Sequence, residues 1–249
     1  MHLDRLISVL ETVAAAGRPV SAADVQRATD LPRPTCYRLL QTLAEHRLLD
    51  VTEGPALYSI GKRVQRLAVL GRSDADVATT VAPVLKETAI ELGEAVFLSR
   101  FRDQRVEIVH VETPDDATRS FIHPGLGKRP LHACSCSKVI AAFADTDFQQ
   151  SILEGPRRAY TEQTKTDAAL IEREFADIRD SGFAECVEEI EIGVSSVAAP
   201  IRLGDGNILM SVGATGPIRR FTADRRQTVG RNLGRVANRI AASLTSTAL

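Results

Sequence analysis

Aromatic side chains are scarce in this sequence: they make up 4% of its 249 residues, and tryptophan is absent. Composition therefore gives no help in choosing a ring over a chain for any ligand. Long apolar runs are missing too. No stretch approaches the ~20 apolar residues that a membrane helix needs, and Asp4 and Arg5 already sit inside the first helical pattern. Neither a membrane span nor a secretory signal is expected, and the expected address is the cytoplasm. Cysteine is sparse as well, and four in a chain of this length do not make a disulfide framework. Nor does one sign of charge dominate, since the formal net charge is −1. Residues 1–72 hold ten Lys/Arg against seven Asp/Glu, a net of +3, which leaves −4 for residues 73–249. That polarisation permits nucleic-acid binding by the first part without the histone-like excess that would demand it. No internal repeat or low-complexity tract appears.

What is present suits a folded protein of more than one part. A hydrophobic content of 44% with 25% charged residues is that of a soluble globular chain, and 249 residues suffice for two domains with a real core. The stretch from Leu31 to Leu43, LPRPTCYRLLQTL, organises the first part. Cys36, Leu39, Leu40 and Leu43 recur at helical spacing and face a core. Arg33, Pro34, Thr35, Tyr37, Arg38, Gln41 and Thr42 are left for the opposite side, with Pro34 suited to the first helical position. Such a front end is able to enter a major groove, where Arg addresses guanine edges and Gln addresses adenine. An ordinary solvated helix face would look the same in these thirteen residues alone.

The surroundings favour DNA. Leu3, Leu6, Ile7, Val9, Leu10, Val13 and Ala14 predict a first amphipathic helix ending before Gly17. Ser21 with Asp24 predicts an N-cap and capping box for a short second helix through Ala28. The Leu31 helix runs to about Glu45. Leu48–Val51 and Leu57–Ile60 then predict two strands around the Gly54-Pro55 turn. Three helices and a two-stranded hairpin make a winged helix-turn-helix. Lys62–Gly71 predicts a linker helix whose apolar stripe, Val64, Leu67, Ala68 and Leu70, is best buried against a second copy.

Beyond Arg72 a helix is expected from about Asp76 to Leu92, with Pro83 either kinking it or near its start. The period then changes. Ala95–Phe101 and Val106–Val111 predict a hairpin, and Thr118–Ile122 a third strand. Ala133–Phe143 and Asp167–Ser181 predict helices. Ser195–Leu203 and Ile208–Ala214 predict strands, and Thr222 opens a last helix to about Leu244. The class expected is α+β, with a mainly antiparallel sheet.

LPRPTCYRLLQTLAEHRLL followed by YSIGKRVQRLA resembles the winged-helix domain of the IclR-type transcriptional regulators. PLHACSCSK (130–138), EEIEIGVSSVAAPI (188–201) and GATGP (213–217) are similar to that family's effector-domain signatures, in the same order. The resemblance implies a winged helix-turn-helix over 1–61, a linker helix over 62–72 and a GAF-like effector-binding domain over 73–249. It further implies double-stranded operator DNA and a small organic acid as partners, no cofactor, and a homodimer or dimer of dimers. Carried over position by position, the effector pocket comprises Thr118, Phe121, Ser135, Cys136, Cys186, Ser196, Gly213 and Thr215.

Other chemistry competes for HACSCSK. His132, Cys134 and Cys136 alternate as metal ligands might, but zinc needs about four ligands and the spacing fits no common template. Lys138 or a helix N-terminus would lower a thiol pKa, making Cys134 or Cys136 a nucleophile with His123 or His132 as its base, or Cys134, Cys136 or Cys186 a redox sensor. Buried thiols that only fill space are the commoner outcome. The best physics is a carboxylate on the exposed amides of Ser135 and Cys136 where a helix begins. The acidic run Glu185, Glu188, Glu189 and Glu191 reads as a solvated loop or strand edge. Arg119, His123, Lys128 and Arg129 either draw an anion toward the pocket mouth or simply coat the surface, and are not expected to bind the ligand directly.

Overall fold

In the computed structural model, which describes residues 2–52, 54–115, 121–204 and 206–246, the chain forms two units. The first extends to Arg72, and the second comprises Ser73–Arg202 and the stretch from Gly206 on. The first unit contains α1 (His2–Ala15), β1 (Val20–Ser21), α2 (Ala22–Thr29), α3 (Arg33–Glu45), β2 (Leu49–Val51), β3 (Leu57–Ile60) and α4 (Lys62–Leu70). The hairpin expected from the sequence pairs antiparallel, Leu49 with Ile60 and Val51 with Tyr58. The two-residue β1, which the sequence did not announce, adds to the other edge of β3. Val9, Val13, Val25, Cys36, Leu39, Leu40, Leu43 and Leu49 form one core, so the apolar side of α3 is buried as its spacing requires. Gly61 closes the wing. A Cβ there would lie 2.4 Å from the Arg47 carbonyl oxygen, and its N–H donates to Leu48 O at 2.9 Å.

The start of α2 is held by a reciprocal pair. The Asp24 N–H donates to Ser21 Oγ (3.2 Å) and the Ser21 N–H to Asp24 Oδ2 (3.1 Å). Replacing Ser21 by alanine is expected to cost about 1 kcal/mol, read as a lower urea midpoint for the intact chain with an unchanged denaturant slope. An unchanged midpoint would show that the cap contributes nothing.

One local expectation needs correction. Pro34 is the second residue of α3, not the first, because Pro32 is its N-cap; it still lies in the first turn, where a missing N–H is harmless. On α4 the fully buried residue is Val69, while Leu67 is 58% exposed and Ala68 is exposed. Positions two apart point about 200° apart around a helix, so Val69 and Leu67 cannot share a face.

The second unit is a six-stranded antiparallel sheet in the order β6-β5-β4-β9-β8-β7. Its strands are β4 (Ala95–Arg102), β5 (Arg105–Glu112), β6 (Gly127–Arg129), β7 (Ala184–Val187), β8 (Val194–Pro200) and β9 (Met210–Pro217). Asp103 and Gln104 join β4 to β5 with φ of 48° and 60°, as a tight two-residue hairpin turn demands. The third strand expected at 118–122 is not found where it can be seen: Phe121 and Ile122 are loop, and the edge strand is β6 instead. Thr118 and Arg119 lie outside the described residues.

One face of the sheet carries α5 (Asp74–Leu92) and α9 (Ala223–Ser246), which pack on each other and on β4, β5, β8 and β9. Ser73 caps α5, and Pro83 lies inside it rather than near its start. Val229, Leu233, Val236 and Ile240 of α9 are all buried, as their period predicts. The other face carries α6 (Ser135–Ala142), α7 (Thr146–Glu154) and α8 (Ala168–Ser181). Phe97, Val106, Ile108, Ala184 and Ala198 share a core with Val139, Ile140, Phe148, Ile171 and Phe175 from these helices. Alternation along each strand divides the two cores.

Candidate functional site

Two surfaces carry the residues singled out above, one in each unit. On α3, Arg33, Pro34, Tyr37, Arg38 and Gln41 are exposed, and Thr35 and Thr42 are half-buried. They occupy the side opposite Cys36, Leu39, Leu40 and Leu43. The Arg33 guanidinium stands over the Tyr37 ring, 5.5 Å from its centroid, a cation–π contact that limits the freedom of the arginine. The Gln41 amide donates to Glu45 Oε1 (3.0 Å), one turn further along the helix.

The second surface is internal. A cavity of about 130 Å³ lies on the α6 face of the sheet. Phe97 and Ile108 form part of its floor, with Cys186, Ser196 and Thr215 from β7, β8 and β9 beside them. Ile122, His123, Pro124, Arg129, Ile190 and Glu191 reach it from the loops and from β6, and Cys134 from the cap of α6. Of the eight expected pocket residues, the structure places Cys186, Ser196 and Thr215 on the wall. Ser135 stands just behind, its fully buried hydroxyl 2.7 Å from Ser196 Oγ. Gly213 acts through its neighbour: a Cβ there would come within 2.3 Å of the Phe97 ring, so a glycine lets that ring lie flat against β9.

Cys136 and Phe121 do not line the cavity. Cys136 is the second residue of α6 and is wholly buried in the core beneath it, whereas Cys134 at the cap faces the space. Phe121 is partly exposed in the loop, and its neighbour Ile122 turns inward.

Two of the three thiols here resist ionisation, and the third lies off the cavity wall. Cys134 Sγ and Cys136 Sγ lie 3.4 Å apart. Their mutual hydrogen bond, with burial, holds Cys134 well above the ordinary thiol range. Burial opposes ionisation of Cys136 too, but the bond from Cys134 and the nearby Arg129 charge bring it below that range. Burial, reinforced by Cys134, pushes Cys186 up to about 12. Neither expected base is at hand: His132 Nε2 is bonded to Arg158 O (3.0 Å), and burial lowers its pKa. His123 Nδ1 accepts from the Gly125 N–H. Among the described residues no three or more His, Cys, Asp and Glu side chains converge as a metal site would.

Lys138 does not serve the thiols either. It is fully buried, and its Nζ donates to Glu174 (2.8 Å) and Glu189 (2.7 Å). The acidic run is thus only partly a solvated edge: Glu189 is 3% exposed, and Glu185 is paired with Arg226 at 2.7 Å. Pairing with a buried lysine, not visible in sequence, draws Glu189 inward.

Arg129 is the wall residue that sequence reasoning set aside. Its Nη2 donates to Pro124 O and Gly125 O, both at 2.6 Å. Its Nε is enclosed without a partner, and no carboxylate lies within ion-pair distance among the described residues. The available signal was strand phase: Arg129 and Gly127 pair with Val106 and Ile108 on the core side, and Lys128 alternates outward.

Comparison with known proteins matches both parts of the chain. Residues 2–52 match the IclR helix-turn-helix domain, and residues 70–242 match the family described as bacterial transcriptional regulator IclR C-terminal. The glycerol operon regulatory protein of Streptomyces griseus is 33% identical over 226 residues, spanning 89% of this chain and 87% of that protein. The HTH-type transcriptional repressor AllR of Escherichia coli K12 is 25% identical over 247 residues, 97% of this chain and 89% of its own length. Among solved structures, an IclR-type regulator from Silicibacter sp. TM1040 superposes with a TM-score of 0.65 at 23% identity, covering 98% of this chain and 96% of that one. An IclR homologue of Microbacterium hydrocarbonoxydans, complexed with 4-hydroxybenzoate, gives 0.62 at 22% identity, covering 99% and 100%.

Proposed function

The chain belongs to the IclR family of bacterial transcriptional regulators, and from that premise we propose that α3 reads double-stranded operator DNA while the cavity beside α6 senses a small organic acid. Members of this family are DNA-binding regulators and not enzymes. The observation that carries the reading is the two-sided α3: a full apolar seam on one side and an exposed Arg33, Tyr37, Arg38 and Gln41 on the other. On this reading residues 1–61 are the DNA-binding domain, 62–72 the linker and 73–249 the effector domain, acting in the cytoplasm.

The exposed Leu67 and Ala68 on α4 support assembly as a homodimer or dimer of dimers. Two reading heads then address half-sites about one helical turn, ~34–36 Å, apart. The acid acts by shifting the population between head spacings, and so alters operator affinity by its differential affinity for the two states.

A second reading rests on the 3.4 Å approach of Cys134 and Cys136. Hydrogen peroxide would oxidise the two thiols to a disulfide with release of two waters, and the redox state would control DNA binding.

Selection of the intact protein against a randomised duplex pool tests the proposal. The expected result is a two-fold symmetric site from which carboxylates release or tighten the protein. Enrichment of no sequence would overturn the DNA assignment. Release by peroxide, with indifference to every acid tried, would replace the acid by the thiol reading.

A further inference from the structure

We infer that the cavity is polarised end to end, with Arg129 holding a carboxylate and Thr215 and Ser196 holding a remote hydroxyl, so that the effector is a small monocarboxylate with a hydroxyl across an apolar body. This rests on the reading of the cavity as an effector site and goes on to assign its ligand class.

The sheet order supplies the polarity. Arg129 is on β6 and Thr215 on β9, with β5 and β4 between them. Neighbouring strands stand ~4.8 Å apart, so three steps put the two backbones about 14 Å apart. Ile108 on β5 and Phe97 on β4 pave the interval and line the same cavity. A charged pole, an apolar floor and a hydroxyl pole therefore follow one another across the sheet. A carboxylate resting on the first amides of α6 would lie elsewhere, since Ser135 and Cys136 are both 0% exposed and off the wall.

Each pole is specific in what it takes. The two bonds from Nη2 to Pro124 O and Gly125 O fix the guanidinium plane. Among the described residues its Nη1 has no bonded acceptor and no carboxylate lies within ion-pair distance, and a guanidinium so placed favours an anion. The His123 ring lines the same end; because its Nδ1 accepts from the Gly125 N–H, the neutral ring carries its proton on Nε2 and offers a further donor. At the other pole Thr215 Oγ1 already donates to Ser195 O (3.2 Å), so toward the cavity it accepts. Ser196 shares one proton with Ser135 and keeps capacity for one more bond. A hydroxyl both gives and takes a proton, and satisfies the pair; a second carboxylate would only accept. The cavity, about 130 Å³, is close to the ~150 Å³ that holds a benzene ring. One ring or a short chain fills it.

Calorimetry on the full-length protein tests the arrangement with 4-hydroxybenzoate, benzoate, 2-hydroxybenzoate and 4-hydroxybenzamide, and with 4-hydroxybutanoate as the open-chain arm. The expected order places the 4-hydroxy acids first. Arg129→Gln should weaken them about tenfold or more and leave the amide unchanged, while Arg129→Lys, which keeps the charge, should retain most of the affinity. Thr215→Val should erase the advantage of 4-hydroxybenzoate over benzoate without altering benzoate itself. Circular dichroism and melting of each variant guard against loss of fold. Acid binding that survives Arg129→Gln, or a 2-hydroxy acid that outbinds its 4-hydroxy isomer, overturns the polarity but leaves the effector site standing. A wild type that binds its operator and none of these acids overturns the effector reading as well.

Discussion

Changing Arg33 and Arg38 together to alanine is expected to abolish high-affinity operator binding while the first unit stays folded. Both side chains are exposed, and neither belongs to the core that Leu39, Leu40 and Leu43 build, so their removal costs little stability. Each arginine that reads a base edge is worth roughly 1–3 kcal/mol, and the pair together weakens binding by about two orders of magnitude. The two singles should differ in kind. A base-reading arginine relaxes sequence preference at one position; one on a phosphate weakens all sequences alike and lowers the salt slope by about one. Tyr37→Phe separates these contributions further. It keeps the ring beneath the Arg33 guanidinium and removes only the hydroxyl, so preference should survive with a modest uniform loss. Fluorescence anisotropy against the selected site and a scrambled duplex at two salt concentrations reads all four proteins. A double variant that holds the operator at wild-type affinity would show that α3 is not the reading helix.

Local signals made the first unit readable from its sequence. The Ser21–Asp24 box, the seam of α3 and the Leu57–Ile60 strand are each written in adjacent residues, and each appears where the pattern put it. The second unit was legible to the same degree where elements are long: the hairpin of β4 and β5, α8 closed by Gly182, and the buried stripe of α9. Short elements were lost. Helix α7 has an N-cap at Asp145, whose Oδ1 accepts from the Phe148 N–H, and buries Phe148 and Ile152; one turn of apolar spacing was too little to mark it. Strands β6 and β7 hold three and four residues, too few to show a period, and gain their place only by pairing with β5 and β8.

The cavity divides along the same line. Ser196 and Thr215, which the family resemblance supplied, lie on strands β8 and β9, directly opposite each other in the ladder. Which of Cys134 and Cys136 faces the space depends on where α6 begins, and the structure starts it at Ser135, two residues later than the apolar pattern suggests. Arg129 was undervalued because its neighbours Lys128 and His123 make the segment look like a basic surface. Only the pairing with Val106 and Ile108 shows that one member of that cluster turns inward.

Lys138→Met is expected to destabilise the fold far more than loss of the Ser21 cap. The ammonium is fully enclosed between Glu174 and Glu189, and Lys165 reaches Glu174 from the exposed side at 2.8 Å. Burial works against the charge on Lys138, but the two carboxylates outweigh it and hold its pKa above the ordinary lysine value. Methionine fills the space and leaves Glu189, whose Oε2 already has no partner, with only Lys165 at 3.9 Å as a cation from the exposed side. Leaving one member of a buried pair uncompensated costs about 3–5 kcal/mol.

The loss has a predictable pH dependence. Burial raises the pKa of Glu189 even with Lys138 pulling it down, and without the lysine it rises further. An acid whose folded pKa exceeds its unfolded value favours the fold while protonated, and that contribution is lost as pH climbs through and above the unfolded value of 4.5. The raised pKa of Lys138 keeps its own contribution complete below 10.5, so the wild type does not lose it in the neutral range. The gap between variant and wild type should therefore be narrow near pH 5 and wide at pH 8, measured by urea denaturation. Adding Glu189→Gln to Lys138→Met should recover part of the stability at pH 8 and little at pH 5, because the stranded charge is then gone. The same double variant probes the cavity. Glu189 precedes Ile190 and Glu191, which line it, so a loosened 188–193 loop should weaken acid binding even where stability has been restored. A penalty for Lys138→Met that is the same at both pH values would mean that lost packing, and not the stranded carboxylate, sets the cost.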